Sequence, residues 1–317
     1  MKTVSIAIHG GAGTLVKGMM TPEKERAYKI ALQKALDKGY AILENGGTAV
    51  DSVEQAVNIL ENSPLFNAGK GAVFTADETH EMDASIMEGK TLNAGAVSLI
   101  TGIKNPISLA RDVMEKSEHV FLAGNGAMQF AETLGYSLEK ESYFYDQLRY
   151  DQWLEIKDTD SFQLDHSSTS TPLSNQKDSK FGTVGAVACD SKGNIAAATS
   201  TGGMTNKRFG RVGDSPMIGA GNYANNKTCA VSCTGSGEFF IRGVVAYDVS
   251  CLMEFKGMTL KDASEEVINK RILEINGDGG LIAIDTSGNI AMPFNTEGMY
   301  RACKSSNGLE EVSIYSD

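Results

Sequence analysis

The chain's 317 residues are enough for one large globular domain or two smaller ones. Its 41% hydrophobic and 22% charged content is ordinary for a globular protein and excludes general disorder, coiled coil and collagen-like repeats. With 40 acidic against 29 basic residues the formal net charge is −11, which argues against a nucleic-acid or anionic-membrane binder; an anionic substrate group must then meet a local Arg or Lys.

The opening run from Met1 to His9 is a short apolar stretch broken by polar residues, which predicts a buried strand and not a secretion signal. The Gly10-Gly11-Ala12-Gly13 segment that follows reads as a flexible turn. Thr21-Pro22-Glu23 supplies a cap, a proline at the first helical position and an early acid, so a helix should run from there to Gly46-Gly47. Thr48 and Asp51 open a second helix, with Ala49, Val53, Ala56, Val57 and Leu60 on one face. A buried strand is expected over Leu92–Ile100, a helix from Asn105-Pro106 through Lys116, and a further strand over His119–Ala123. No later stretch approaches the roughly 18 apolar residues of a membrane span.

Nine of the residues from Thr159 to Ser179 are Ser or Thr, too polar a run to bury a core, so a mobile linker is expected there. Gly182–Cys189 is then a clean apolar strand. Ala188–Ala196 and Ala283–Ala291 echo each other as strand, polar turn with glycine, strand: one hairpin used twice. Helical patterns over Ser236–Phe255 and Thr259–Ile275 lie between the two hairpins, which suggests an α+β architecture of sheets covered by helices. The five cysteines are an odd number, and with no secretion signal read at the start, reduced thiols in the cytoplasm are expected; Cys229 and Cys233 have no nearby His for a zinc site.

Familiar catalytic motifs fail on particular residues. Gly89-Lys90-Thr91 resembles the end of a phosphate loop, but Ala84 stands where the leading glycine belongs. Gly11-Ala12-Gly13 after a strand leaves a dinucleotide-binding reading open, although Val16 occupies the third glycine position. None of the four histidines (His9, His80, His119, His166) has metal-ligand spacing, and no Gly-x-Ser-x-Gly elbow occurs. Thr183 remains. A hydroxyl nucleophile without a histidine can use its own α-amine as base, which requires the Gly182–Thr183 bond to be cut. The simpler possibility is that Gly-Thr merely begins a strand.

The run Phe181-Gly182-Thr183-Val184-Gly185-Ala186-Val187-Ala188, followed by Ala198-Thr199-Ser200-Thr201-Gly202-Gly203-Met204, resembles plant-type L-asparaginases, also called isoaspartyl aminopeptidases. So do the segments His9–Gly13, Phe66–Gly69, Gly210–Ser215 and Cys233–Glu238, in the family's order and over nearly the whole chain. The resemblance implies an N-terminal-nucleophile hydrolase: a four-layer αββα sandwich, cut by itself into an α subunit (1–182, with a mobile tail over about 157–182) and a β subunit (183–317), assembled as (αβ)₂. It implies hydrolysis of L-asparagine or β-aspartyl dipeptides, with no organic cofactor.

Position by position, the resemblance makes Thr183 the nucleophile and Thr201 a second hydroxyl bonded to it. Thr234 and Gly235 become the oxyanion donors, for which a hydroxyl and a closely approaching backbone N–H are suited. Arg211 and Asp214 become the clamp for the α-carboxylate and α-ammonium, with Gly237 also touching the ammonium. Asn67 matches a residue near the nucleophile, and a purely structural turn role for it is equally open. The family's sodium loop matches Leu60–Lys70, with the carbonyls of Leu60, Glu61, Ser63, Phe66, Ala68 and Lys70 as ligands, a donor set that suits a hard cation. A glycosylasparaginase acting on sugar-linked asparagine is the neighbouring alternative.

Overall fold

Strand β1 (Ser5–Gly13) is buried along its whole length and pairs antiparallel on both sides. The computed structural model describes residues 3–157 and 182–316; the Thr159–Ser179 tract expected to form a linker, with Phe181, lies outside the described residues. The fold is mixed α/β. Helices α1 (Pro22–Glu44) and α2 (Ala49–Glu61) start as expected, the Thr21 and Thr48 hydroxyls accepting from the backbone N–H groups of Lys24 and Asp51. Strands β2 (Met82–Glu88) and β3 (Ala94–Ile100), helix α3 (Pro106–Lys116), the short β4 (Phe121–Ala123) and helices α4 (Gly124–Thr133), α5 (Glu141–Phe144) and α6 (Gln147–Ile156) complete the first half.

The second half begins with β5 (Val184–Cys189) and β6 (Ile195–Thr201), then β7 (Asn222–Ala224) and β8 (Cys229–Gly235). Helices α7 (Gly237–Gly243), α8 (Val245–Lys256), α9 (Leu260–Glu266) and α10 (Ile272–Glu274) precede β9 (Gly279–Asp285), β10 (Ile290–Ala291), β11 (Gly298–Ser305) and β12 (Glu310–Tyr315). The repeated hairpin is present. In β5–β6 the Asp190 carboxylate accepts from the N–H groups of Lys192 and Asn194, and in β9–β10 Asp285 does the same for Ser287 and Asn289.

One sheet has eight strands in the order β12-β11-β1-β5-β6-β2-β3-β4, and a second has four in the order β10-β9-β8-β7. Strands from the two halves of the chain therefore alternate in the larger sheet. One of its faces packs Ile6, Ile8, Val184 and Ala186 against Leu32, Leu36, Val53 and Val57 of α1 and α2. Its other face packs Ala7, Val187 and Ala197 against Ala230, Ile282 and Ile284 of the smaller sheet. The far side of the smaller sheet packs Val231, Cys233, Leu281 and Ala283 on residues of α7 to α10.

Three expectations are corrected. The Gly10–Gly13 segment is not a turn but the end of β1, with a bulge between His9 and Gly11 in its pairing with β11. No helix follows it directly, so the dinucleotide-binding reading loses its strand–turn–helix context. The helix expected over Ser236–Phe255 is two helices, broken where Val244 takes a left-handed conformation at φ 47°. The strand expected from His119 starts only at Phe121. Among the described residues no helix is long and apolar enough to cross a membrane, and all five cysteines are free.

Candidate active site

Antiparallel register brings the hydroxyls together. Residues directly opposite on paired strands point to the same face. Thr201 of β6 lies opposite Asp83 of β2, and Thr199 lies opposite both Ser85 and Gly185, the latter facing His9 of β1. This face looks toward the smaller sheet, whose β8 turns Val231 and Cys233 toward the helices and so sends Ser232 and Thr234 inward.

Thr183 stands at the start of β5, 9% exposed. Its hydroxyl donates to Thr201 Oγ1 at 3.2 Å and lies 3.4 Å from Ser215 Oγ. The Thr201 oxygen also accepts the Gly203 N–H at 3.0 Å, and the Ser85 hydroxyl donates to the Ser215 carbonyl at 2.6 Å. The Thr183 carbonyl bonds to His9 Nδ1 at 3.0 Å, and His9 Nε2 to Ser232 Oγ at 2.9 Å. A carbonyl only accepts, so Nδ1 carries the hydrogen and Nε2 accepts from Ser232. Burial drives the His9 pKa down to about 3 against the pull of the Thr183 bond, so the ring is neutral. Gly185 makes room for this pair: a Cβ there would collide with Ser232 Oγ and His9 Nε2.

Gly182 and Gly11 meet backbone to backbone. A Cβ on Gly11 would stand 2.7 Å from the Gly182 Cα, and one on Gly182 would stand 2.9 Å from both Gly11 Cα and Thr234 Oγ1. Thr234 is fully buried, and its hydroxyl has no hydrogen-bond partner among the described residues. A donor held beside Gly182 with nothing to donate to is available for charge that develops there. Gly235 ends β8 opposite Gly279.

Arg211 and Asp214 come from the loop after Thr201. A Cβ on Gly237 would meet Asp214 Oδ1 at 2.9 Å and Arg211 Nη2 at 3.0 Å, so the cation and the carboxylate converge on that glycine. Burial pushes Asp214 up to about 7 although Arg211 opposes the shift. Arg211 gives Nε and Nη2 to the Glu238 carboxylate at 2.9 Å each. Burial would raise the Glu238 pKa, but these bonds bring it below its ordinary value.

Asn67 sits behind Thr201. Its amide donates to the Gly203 carbonyl at 2.7 Å, its Oδ1 accepts the Val73 N–H at 3.1 Å, and its carbonyl accepts the Gly202 N–H at 3.0 Å. Each of these bonds goes to backbone, so Asn67 shapes the turn that follows Thr201. Leu60, Glu61, Ser63, Phe66, Ala68 and Lys70 lie at the end of α2 and in the tight loop after it. There a Cβ on Gly71 would run into the carbonyls of Phe66 and Pro64, so carbonyl oxygens do converge. The Glu61 carboxylate is buried and accepts from Ser200 Oγ at 2.7 Å, Ile107 N at 2.9 Å and Asn105 Nδ2 at 3.0 Å, tying this loop to the strand of Thr201. Sequence reasoning missed Ser232, and it read His9, Thr199, Ser215 and Glu238 only as members of motif blocks, without roles. Alternation along β6 was the available signal, since Thr199 and Thr201 share a face.

The asparaginase family model matches residues 1–314. An isoaspartyl peptidase of Escherichia coli (strain K12) is 51% identical over 98% of this chain and 95% of the relative. One from Salmonella typhimurium is 50% identical over 99% of both chains. A probable isoaspartyl peptidase/L-asparaginase 2 of Arabidopsis thaliana is 42% identical over 98% of both. With the fold, the converging hydroxyls and matches of this length, the chain belongs to the asparaginase family.

Proposed function

We propose that the chain is a self-processing hydrolase that releases ammonia from L-asparagine and cleaves β-aspartyl (isoaspartyl) dipeptides, with Thr183 as nucleophile. The observation that carries the reading is the Thr183 hydroxyl, bonded to Thr201, beside a buried and unpartnered Thr234 hydroxyl at Gly182. In maturation the Thr183 Oγ attacks the Gly182 carbonyl. The C–O bond forms as the Gly182–Thr183 C–N bond breaks, the hydroxyl proton passes to the new amine, and water then hydrolyses the ester. The products are the α subunit, 1–182, and the β subunit, 183–317.

In catalysis the same oxygen attacks the β-carbonyl of the substrate, with the freed amine as base. The Thr234 hydroxyl and the Gly235 N–H receive the oxyanion, and Thr201 orients the nucleophile. Arg211 takes the α-carboxylate, while Asp214 and Gly237 take the α-ammonium. Ammonia or an amino acid leaves, and water attacks the acyl-enzyme. Asn67 serves this site by holding the Thr201 turn.

The αββα layering belongs to the same reading, supported by the three separate apolar cores. A sodium ion fits the crowded carbonyls of the 60–70 loop; Leu60, Glu61, Ser63, Phe66, Ala68 and Lys70 would hold it, and it would stiffen the loop. Assembly as (αβ)₂ is carried by the family resemblance, and a cytoplasmic location is supported by five free thiols. Denaturing electrophoresis and ammonia release test the function. The purified protein is expected to run as two fragments and to be active on L-asparagine or β-aspartyl-leucine, and Thr183→Ala to give one uncut, inactive chain. An active Thr183→Ala protein refutes the reading.

A further inference from the structure

The chain partners its two clamp residues very differently. The Glu238 carboxylate covers the Nε edge of the Arg211 guanidinium through two bonds of 2.9 Å, leaving the outer edge at Nη1 for a second carboxylate. Glu238 is half exposed, with 49% of its side chain accessible, so Arg211 is braced from the solvent side. Asp214 has Arg211 close by but no such bidentate partner among the described residues. It is 4% exposed, and its Oδ2 has no hydrogen-bond partner among the described residues.

We infer that, on the functional reading above, the clamp demands the substrate's α-ammonium far more strictly than its α-carboxylate, because Glu238 keeps Arg211 hydrogen-bonded when the substrate carboxylate is missing, whereas Asp214 Oδ2 has no hydrogen-bond partner among the described residues. A site rejects an analogue most strongly when the missing group leaves a buried polar atom without its hydrogen bond. Removing the ammonium leaves the buried Asp214 Oδ2 without a hydrogen bond, although Arg211 lies close to Oδ1. Removing the carboxylate returns Arg211 to a pairing that it already has. Glu238 is thus a positioning residue that sets specificity without touching the substrate. The substrates that fit are β-aspartyl compounds with a free α-amine, and change at the α-carboxyl group is tolerated.

Two analogues of L-asparagine separate these demands without adding bulk: succinamate, which lacks the amine, and 3-aminopropanamide, which lacks the carboxylate. Ammonia release by the purified, matured protein gives kcat/KM for each, in salt that screens the overall charge of −11. Relative to L-asparagine, succinamate is expected to lose roughly a thousandfold and 3-aminopropanamide roughly tenfold. In Glu238→Gln the relative loss of 3-aminopropanamide should deepen by roughly another tenfold while that of succinamate stays put. Equal or reversed losses in the unaltered protein overturn the inference, as does a ratio that Glu238→Gln leaves unmoved. If neither L-asparagine nor β-aspartyl-leucine is hydrolysed, the proposed function fails instead. The unaltered protein's ratio decides the matter should Glu238→Gln not fold.

Discussion

The space between the two sheets has two ends built from the same strands and the same face. At one end the row Met87, Ala197, Val187 and Ala7 closes on Ile282 and Ile284. Two to four residues further along stand Ser85 and Asp83, Thr199 and Thr201, Thr183 and His9, facing Ser232 and Thr234. Backbone geometry is shared, so side-chain chemistry alone makes one end a core and the other the proposed reaction site. The apolar end is held by burial, which is indifferent to direction. The polar end is held by directed hydrogen bonds, with the Thr234 hydroxyl and Asp83 Oδ2 left unpartnered among the described residues.

The sharpest way to break this contrast is Thr234→Val. The loss of an oxyanion donor should lower kcat by about 10²–10³-fold, measured as ammonia release. The melting temperature should stay level or rise, because an unpartnered buried hydroxyl gives way to a methyl group. A fall in stability with unchanged kcat would make Thr234 a structural residue. Gly185→Ala comes next. Its methyl would strike Ser232 and His9, costing about 1–3 kcal/mol of stability and lowering activity as the Thr183 carbonyl loses its anchor. Thermal unfolding together with kcat checks both. Ile282→Val, at the apolar end, should cost only about 0.5–1.5 kcal/mol and leave kcat of matured protein unchanged. An activity loss there would mean that the two ends are not independent.

Much of the local structure was legible because it depends on neighbours in sequence. Thr21 and Thr48 cap the helices they announce, Pro106 sits at the start of α3, and Asp190 and Asp285 close the same turn twice. The glycines before Thr14 misled, because composition does not distinguish a glycine that turns the chain from one that lets two backbones touch. Gly11 is of the second kind, lying against Gly182 far along the chain. The break at Val244 was hidden as well, since a β-branched residue carries no signal for a left-handed bend. Within the candidate site, the motif blocks named Thr183, Thr201, Arg211, Asp214 and Thr234, the residues to which the proposed function gives roles. Ser232 lay outside the blocks, and Ser215 and Glu238 closed two of them without a role, because they meet His9, Thr183 and Arg211 only after separate segments pack together.

The alternation of strands in the larger sheet carries a kinetic consequence. Strand β1 is flanked by β11 and β5, and β2 borders β6, so the segments before and after Gly182 are interleaved along three ladders. If the proposed cleavage makes residue 183 a chain start, no covalent link draws those segments back to each other. A molecule cut there would stay whole while folded, but after complete unfolding its recovery would be a bimolecular encounter whose rate depends on concentration, whereas an uncut chain folds as a single tethered unit.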